Sequence, residues 1–326
     1  MKLQLALIFF LAITAAYCQT MVLDQETNEP VSFATVSFGD GQGIFADDLG
    51  VFLFNKKLYP DVDSLFVSAL GFKEFQLASA ELKDTLFLEQ EVDKLKEVLI
   101  SVKLDTEDFK EETLKPYLDD DYYKCWLPTI ESEIAVYFPK PEEGTLKLSS
   151  IHIPIALEST DWKKRKRSNA DKKPFSTLFK VHIYANNNGF PGKPLTYNNI
   201  TFIATEKGGD SHTIEVSSQD IYIPDDGIYV SIQVMGYTDE DGRLLPNKKY
   251  KEIKSGSGIV KIPTNFRPLL PFTDEIPDNR TYIKRVFINN NKWTQFKKGG
   301  IKNSSLLASG LNNYGMGISY RVYDTK

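Results

Sequence analysis

Apolar residues run from Leu3 to Ala16, broken only by Gln4 and Thr14, between Met1-Lys2 and the stretch Ala16-Tyr17-Cys18-Gln19. A bilayer span takes about 20 residues, so this run is short for one. A short charged start, an apolar core and a small-residue cleavage site predict a secretory signal peptide over residues 1–18, cut after Cys18 with Ala16 at minus three. The alternative is lipidation at Cys18. The residue before such a cysteine is normally small, and here it is Tyr17, which favours simple cleavage. An uncleaved anchor is a third reading.

From Met21 to about Lys103 the period of the pattern changes to two. Ala34 and Val36 alternate with Thr35 and Ser37, so one face of a strand can be buried. Strands are expected at 31–38, 44–46, 51–54, 63–69, 84–88 and 97–102, and the chain also turns and continues at Gly71–Phe75. Turns fall at Gly39-Asp40-Gly41 and Asp47–Gly50, since glycine reaches positive φ without a steric penalty. About seven short strands at this spacing predict a sandwich of two sheets over 19–103. Residues 104–124 change character. Asp105 to Glu112 and Asp119-Asp120-Asp121 are acidic, and an exposed linker with at most one short helix is expected. From 125 to 326 strand signals return, including 133–138, 144–157 with Ile151, Ile153 and Ile155 alternating, 179–185, 200–205, 227–235 and 316–323. Residues 186–192 read as a turn-rich loop. Some nine strands without long apolar helical repeats predict a second, larger all-β domain, a jelly-roll-like sandwich.

Composition changes this picture little. The net charge of -5 is mild and gives no reason to expect a nucleic-acid partner. The 21 Phe and 16 Tyr suit strands. Two cysteines are present, so removal of the leader leaves Cys125 alone and an intramolecular disulfide impossible. A secreted chain without disulfides looks more bacterial than animal.

The order of pieces in the first domain resembles the carboxypeptidase regulatory-like domain, a transthyretin-like β-sandwich common in Bacteroidetes envelope proteins. Asp24, Thr27 and Glu29-Pro30 carry the likeness, followed by Phe33-Ala34-Thr35-Val36. Asp47 to Gly50 with Phe52, then Leu65-Phe66-Val67-Ser68 with Leu70-Gly71-Phe72, continue it. Leu86 to Leu88, Leu95 and Glu97-Val98 complete it. The resemblance covers about a quarter of the chain and implies a non-catalytic module, found on peptidases and in front of outer-membrane receptor barrels. The rest of the chain is too short for a plug and a large barrel. The second domain resembles, more weakly, uncharacterised β-rich domains of the same bacteria.

No constellation in the sequence specifies catalysis, a metal or a cofactor, and none is expected. His152, His182 and His212 lie about thirty residues apart, without the tight spacing of histidine metal sites. By alternation His152 and His182 are expected at the surface, and His212, in step with Ile214 and Val216, partly buried. Asp47-Asp48 reads as a turn former rather than a calcium pair, because calcium takes six to eight oxygen ligands. Cys125 has no adjacent base and reads as a small thiol. Gly39-Asp40-Gly41 and the other Gly-x-Gly pieces lack the rest of a phosphate loop. Trp126 and Trp293 are expected to pack near strand ends. The sharpest charge feature is Lys163-Lys164-Arg165-Lys166-Arg167, preceded by Trp162. A leader excludes nuclear import, which leaves a solvated loop or contact with anionic lipid headgroups or polysaccharide. The expectation is therefore an exported, non-enzymatic protein of the periplasm, outer-membrane surface or exterior. It binds an envelope protein or polysaccharide, with no nucleic acid and no transmembrane segment in the mature chain. A carbohydrate-binding C-terminal sandwich and a hydrolase with a dispersed site are the alternatives.

Overall fold

The computed structural model describes residues 19–91, 108–119, 121–157, 174–246, 251–255, 258–262, 268–288, 292–301 and 304–323. The chain is all-β, as the alternation predicts, and consistent with a sandwich fold. It divides into two compact units, Met1–Gly39 with Gly43–Val92, and Asp40–Gln42 with Asp93–Lys326. The leader lies outside the described residues, as does the strand expected at 97–102.

The first unit has β1 Gln19–Asp24, β2 Thr35–Ser37, β3 Gly43–Phe45, β4 Val51–Leu53, β5 Ser64–Ser68, β6 Phe75–Ala78 and β7 Thr85–Leu88. One sheet has the order β4-β1-β7, with β1 parallel to β7, and the other runs β3-β2-β5-β6. Val22, Phe52, Leu86 and Leu88 are buried from the first sheet, and Val36, Leu65 and Val67 from the second. The rings of Phe38, Phe54 and Tyr59 pack together beside them. Asp47 makes the turn before β4, its Oδ1 accepting from the Leu49 and Val51 N–H groups at 3.0 and 2.8 Å. At Gly50 φ is +72°, and a Cβ would meet the Val22 carbonyl at 2.7 Å, so only glycine fits. The strand expected at 31–38 is shorter than the apolar run suggests. Phe33 sits at φ 58° and donates its N–H to Asp47 O, which bends the chain before β2.

The second unit opens with β8 Lys110–Leu114, β9 Cys125–Trp126, β10 Ser132–Phe138, β11 Thr145–Pro154 and β12 Ala156–Leu157. Then come β13 Ser176–Asn187, β14 Phe190–Pro194, β15 Ile200–Thr205, β16 Ser211–Glu215 and β17 Ile228–Tyr237. It closes with β18 Lys251–Ser255, β19 Gly258–Ile262, β20 Pro268–Thr273, β21 Thr281–Arg285, β22 Thr294–Gln295, β23 Asn313–Tyr314 and β24 Gly317–Tyr323. The large sheet has the order β14-β13-β17-β10-β21-β22, with β15 also on β13. A second sheet runs β16-β11-β24-β8, and a short one joins β12, β20 and β23, with β9 on β20. Phe202 of the large sheet stacks on Phe179 at 5.1 Å and meets His212 of the second sheet at 5.5 Å. The two sheets therefore face each other on the side that carries Ile134, Val136, Val181, Ile183, Val230 and Ile232, all buried.

Two expectations need correction here. Lys110–Leu114, inside the stretch expected to be an exposed acidic linker, is a strand paired with β24. Acidic side chains on an edge strand can point to water while its backbone satisfies the ladder, so charge did not exclude a strand. The turn expected within 186–192 is there but is only two residues long, and the rest of that stretch belongs to the β13–β14 hairpin. Asn188 and Gly189, at φ 53° and 83°, form its two-residue turn, a role that Asn-Gly favours.

Candidate functional site

The other face of the large sheet is unusual for a sandwich. Alternation places Glu133 and Ala135 of β10, Ser231 and Gln233 of β17, Lys180, His182 and Tyr184 of β13, and Lys284 of β21 side by side there. An outward face of an antiparallel sheet is ordinarily polar and wet. This one is polar and dry, for Glu133 is 1% exposed, Ser231 0%, Lys180 and Gln233 5% and His182 7%.

Glu133 is the centre of the layer. Its Oε1 accepts from Tyr184 OH at 2.7 Å, Ser231 Oγ at 2.7 Å and His182 Nδ1 at 3.2 Å. Its Oε2 lies 2.9 Å from Lys284 Nζ. Burial alone would raise the carboxyl pKa. Lys284 and His182 outweigh it and hold Glu133 ionised, well below the usual carboxylate range. Burial pushes Lys180 down to about 8 against the pull of Glu133. Burial likewise lowers His182, so near neutral pH the imidazole contributes a hydrogen bond and Lys284 the counter-charge. Tyr184 is pushed up by burial and by Glu133, which keeps its hydroxyl a donor.

Beyond the carboxylate the same face becomes aromatic. Tyr137 and Tyr229 pack at 5.0 Å, Tyr229 and Tyr282 edge-on at 5.2 Å, and Tyr282 against Phe190 at 5.5 Å. Trp293 meets Tyr184 edge-on at 5.9 Å, and Lys284 Nζ sits 4.6 Å from the Trp293 ring centre. Phe190 is 47% exposed at the hairpin tip, and Tyr137 and Trp293 are half-buried. The row thus ends in rings that an external molecule can reach.

A second carboxylate, Glu131, enters β10 at φ 78° with no exposed surface. Arg285 Nε donates to its Oε1 at 2.5 Å and the Phe287 N–H to its Oε2 at 3.3 Å. Burial, opposed by Arg285, raises its pKa to about 7. Two carboxylates two residues apart thus have opposite environments, a pattern seen in acid–base pairs, yet both are sealed from solvent.

Of the residues singled out in the sequence, Trp162, Lys163, Lys164, Arg165, Lys166 and Arg167 lie outside the described residues. The three histidines do not converge. His152 on β11 bonds Ser319 Oγ at 2.7 Å and Thr213 Oγ1 at 3.1 Å, and is half-buried rather than at the surface. His212, half-buried, points into the sandwich beside Phe202. His182 does oppose Val181 and Ile183, but its face is covered, so its expected surface position is wrong. Alternation tells which face a side chain takes, not what lies over that face. Cys125 is half-buried on β9, its Sγ 3.8 Å from Asp119 O. Asp119 accepts from Tyr117 OH at 2.8 Å and Lys124 Nζ at 2.7 Å, so it is engaged within its own loop. Among the described residues no three metal-type side chains cluster, and no helix is long and apolar enough to cross a membrane. Glu131, Glu133, Lys180, Ser231 and Lys284 were not legible as a group. The available signal was a charged or polar residue at the same parity in several strands otherwise rich in Ile and Val.

No family model matches the chain, and no curated protein does. Among solved structures, the cysteine protease and lectin-like domains of Cwp84, a surface-layer-associated protein of Clostridium difficile, align at TM-score 0.31 and 13% identity over 59% of this chain and 32% of that one. The structure of infectious bursal disease virus Gx strain aligns at TM-score 0.21 and 9% identity over 90% of this chain and 62% of that one. Both likenesses are too distant to carry an argument about function.

Proposed function

We propose that this chain is an exported, non-catalytic protein of the cell envelope that acts as a binding or accessory module. In this reading a carboxypeptidase regulatory-like unit precedes a larger jelly-roll-like sandwich. Seven short strands in two sheets, in the order of the resembling residues, support the first assignment. The observation that carries the non-catalytic reading is Glu133, a buried carboxylate already supplied with four donors from its own chain. A carboxylate so occupied serves folding, whereas a catalytic one must be open to substrate in a plausible pose. The test is incubation of the mature chain with envelope polysaccharides and peptides. Turnover by the mature chain overturns the reading, and no turnover supports it. Fractionation and N-terminal sequencing test export: a start at Gln19 in the periplasm or medium supports it, and a retained leader in the cytosol refutes it.

A second reading is favoured by the aromatic row. Aromatic faces present flat apolar surface beside polar groups, and sugars are flat on one side and polar at the edge. In this reading Phe190 and Tyr137 are the outermost rings of a carbohydrate site. A glycan array separates the two: binding that falls at least tenfold in Phe190→Ala and Tyr137→Ala assigns the row, and no glycan binding leaves the first reading.

A further inference from the structure

Asparagine stands before glycine once in the sequence, at Asn188-Gly189. The pair makes the turn between the paired residues Asn187 and Phe190, and both of its residues are exposed. A Cβ at Gly189 would meet nothing within 4 Å, so the space around its backbone is open. The Gly189 N–H donates to Asn186 Oδ1 at 2.9 Å, and Asn188 Nδ2 to Asn187 Oδ1 at 3.1 Å, both in exposed bonds. Both acceptors are side-chain amides of the tip itself, and exposed side chains change rotamer in picoseconds to nanoseconds. The Gly189 nitrogen is therefore repeatedly set free.

Three other glycines follow an aspartate, at Asp40-Gly41, Asp226-Gly227 and Asp241-Gly242. Their N–H groups donate to backbone carbonyls, Phe287 O at 3.0 Å, Pro224 O at 2.9 Å and Asp239 O at 3.1 Å. A backbone acceptor leaves only when its segment moves. An ionised carboxylate also repels a nitrogen that has lost its proton. Asn188 is neutral, and only a side chain restrains the nitrogen that follows it.

We infer that Asn188 is a self-modifying site, which converts to isoaspartate and so lifts Phe190 from the aromatic row. The Gly189 nitrogen loses its proton to solvent base and attacks Cγ of Asn188. The N–Cγ bond forms, the Cγ–Nδ2 bond breaks, and Nδ2 leaves as ammonia with a proton returned from solvent. Water then opens the five-membered imide at either carbonyl, giving aspartate or isoaspartate. One water enters and one ammonia leaves, with nothing oxidised or reduced. Ring closure turns Asn188 out of its φ 53° conformation, so the tip must open first, and an exposed turn opens at low free energy. Isoaspartate adds one atom to the main chain. A two-residue turn needs positive φ at both positions, a geometry that the longer chain does not keep. Phe190 follows directly, so its contact with Tyr282 at 5.5 Å is the first to go.

The test incubates the full mature chain at pH 6 and pH 8 and follows every asparagine by peptide mass mapping. Isoaspartate is marked with protein isoaspartyl methyltransferase. Asn188 should convert at least tenfold faster than any other asparagine, at least tenfold faster at pH 8 than at pH 6, and mainly to isoaspartate. Asn186→Ala frees the Gly189 nitrogen and should raise the rate at least threefold, the worth of one weak hydrogen bond. The ring NMR signals of Phe190 and Tyr282 should shift with the same time course. Asn188→Asp carries the same charge on an unlengthened chain and should leave those signals in place. Conversion at Asn188 no faster than elsewhere, an unchanged rate in Asn186→Ala, or rings that do not respond to conversion overturns the inference.

Discussion

Glu133 and Glu131 sit two residues apart on one strand and make different demands on the fold. At Glu133 the counter-charge is Lys284, whose side chain is 23% exposed. Glu133→Gln leaves that ammonium without its counter-charge and puts an amide NH2 where its acceptor oxygen stood. Breaking a buried pair costs about 3–5 kcal/mol, and partial solvation of Lys284 places the expected loss near the lower end. Urea denaturation of the two proteins checks it, and a loss under 1 kcal/mol would make the carboxylate dispensable to folding. At Glu131 the folded pKa is raised to about 7 from 4.5. The neutral form is the one the fold prefers, so its share of stability is present below about pH 4.5 and is lost as pH rises through about 7. Glu131→Gln fixes that neutral form. The stability of the wild type relative to this variant should fall by about 3 kcal/mol between pH 4 and 8, at about 1.4 kcal/mol per pKa unit. The comparison must be made by difference. His152, His182 and His212 are all lowered by burial. They lose stability as pH falls below about 6.5, the opposite sense, and cancel only between the two proteins.

At the scale of elements, the last strand carries more than its position suggests. In the fold β24 lies between β11 and β8 and pairs with both. Deleting 317–326 therefore removes an inner strand and strands β8 with it. The truncated chain is expected to lose its cooperative thermal transition, and an unchanged melting temperature would refute this. Thr113 and Ser319 join their hydroxyls across β8 and β24 at 2.8 Å, so Thr113→Val should cost about 1 kcal/mol, the usual worth of one such bond. The turn before β17 is equally constrained. Gly227 has φ +77°, and a Cβ there would lie 2.4 Å from Phe138 O, so Gly227→Ala must displace β10. These elements show where the sequence is readable. Strands with strict alternation, such as 133–138 and 179–185, were placed within about three residues, because burial of one face imposes period two. The strand after the Asn188-Gly189 turn and the strand at Lys110–Leu114 were missed, because polar residues are equally at home in a loop and on a solvated edge. The Glu133 layer was missed for a third reason. It depends on which strands become neighbours, and pairing across 49 residues or more leaves no local trace.

At the scale of the molecule, each of two β units holds itself together with no disulfide among the described residues. Stability then rests on apolar cores and on the polar layer, and recognition on what the surface offers. The second unit offers a row of rings. The sequence adds another element, the run Lys163 to Arg167 after Trp162. If it contacts an anionic envelope surface, each cation contributes about 1 kcal/mol. Replacing all five by glutamine should then weaken binding to phosphatidylglycerol vesicles by roughly several thousandfold at low salt. Added salt should do the same to the unaltered chain, since the screening length shrinks from about 10 Å at 0.1 M to about 3 Å at 1 M. The two manipulations act on one interaction and must not add, so the glutamine variant should show a nearly flat salt dependence. Vesicle binding that survives both changes would place the contact elsewhere, and a steep salt dependence retained by the variant would assign it to other cations.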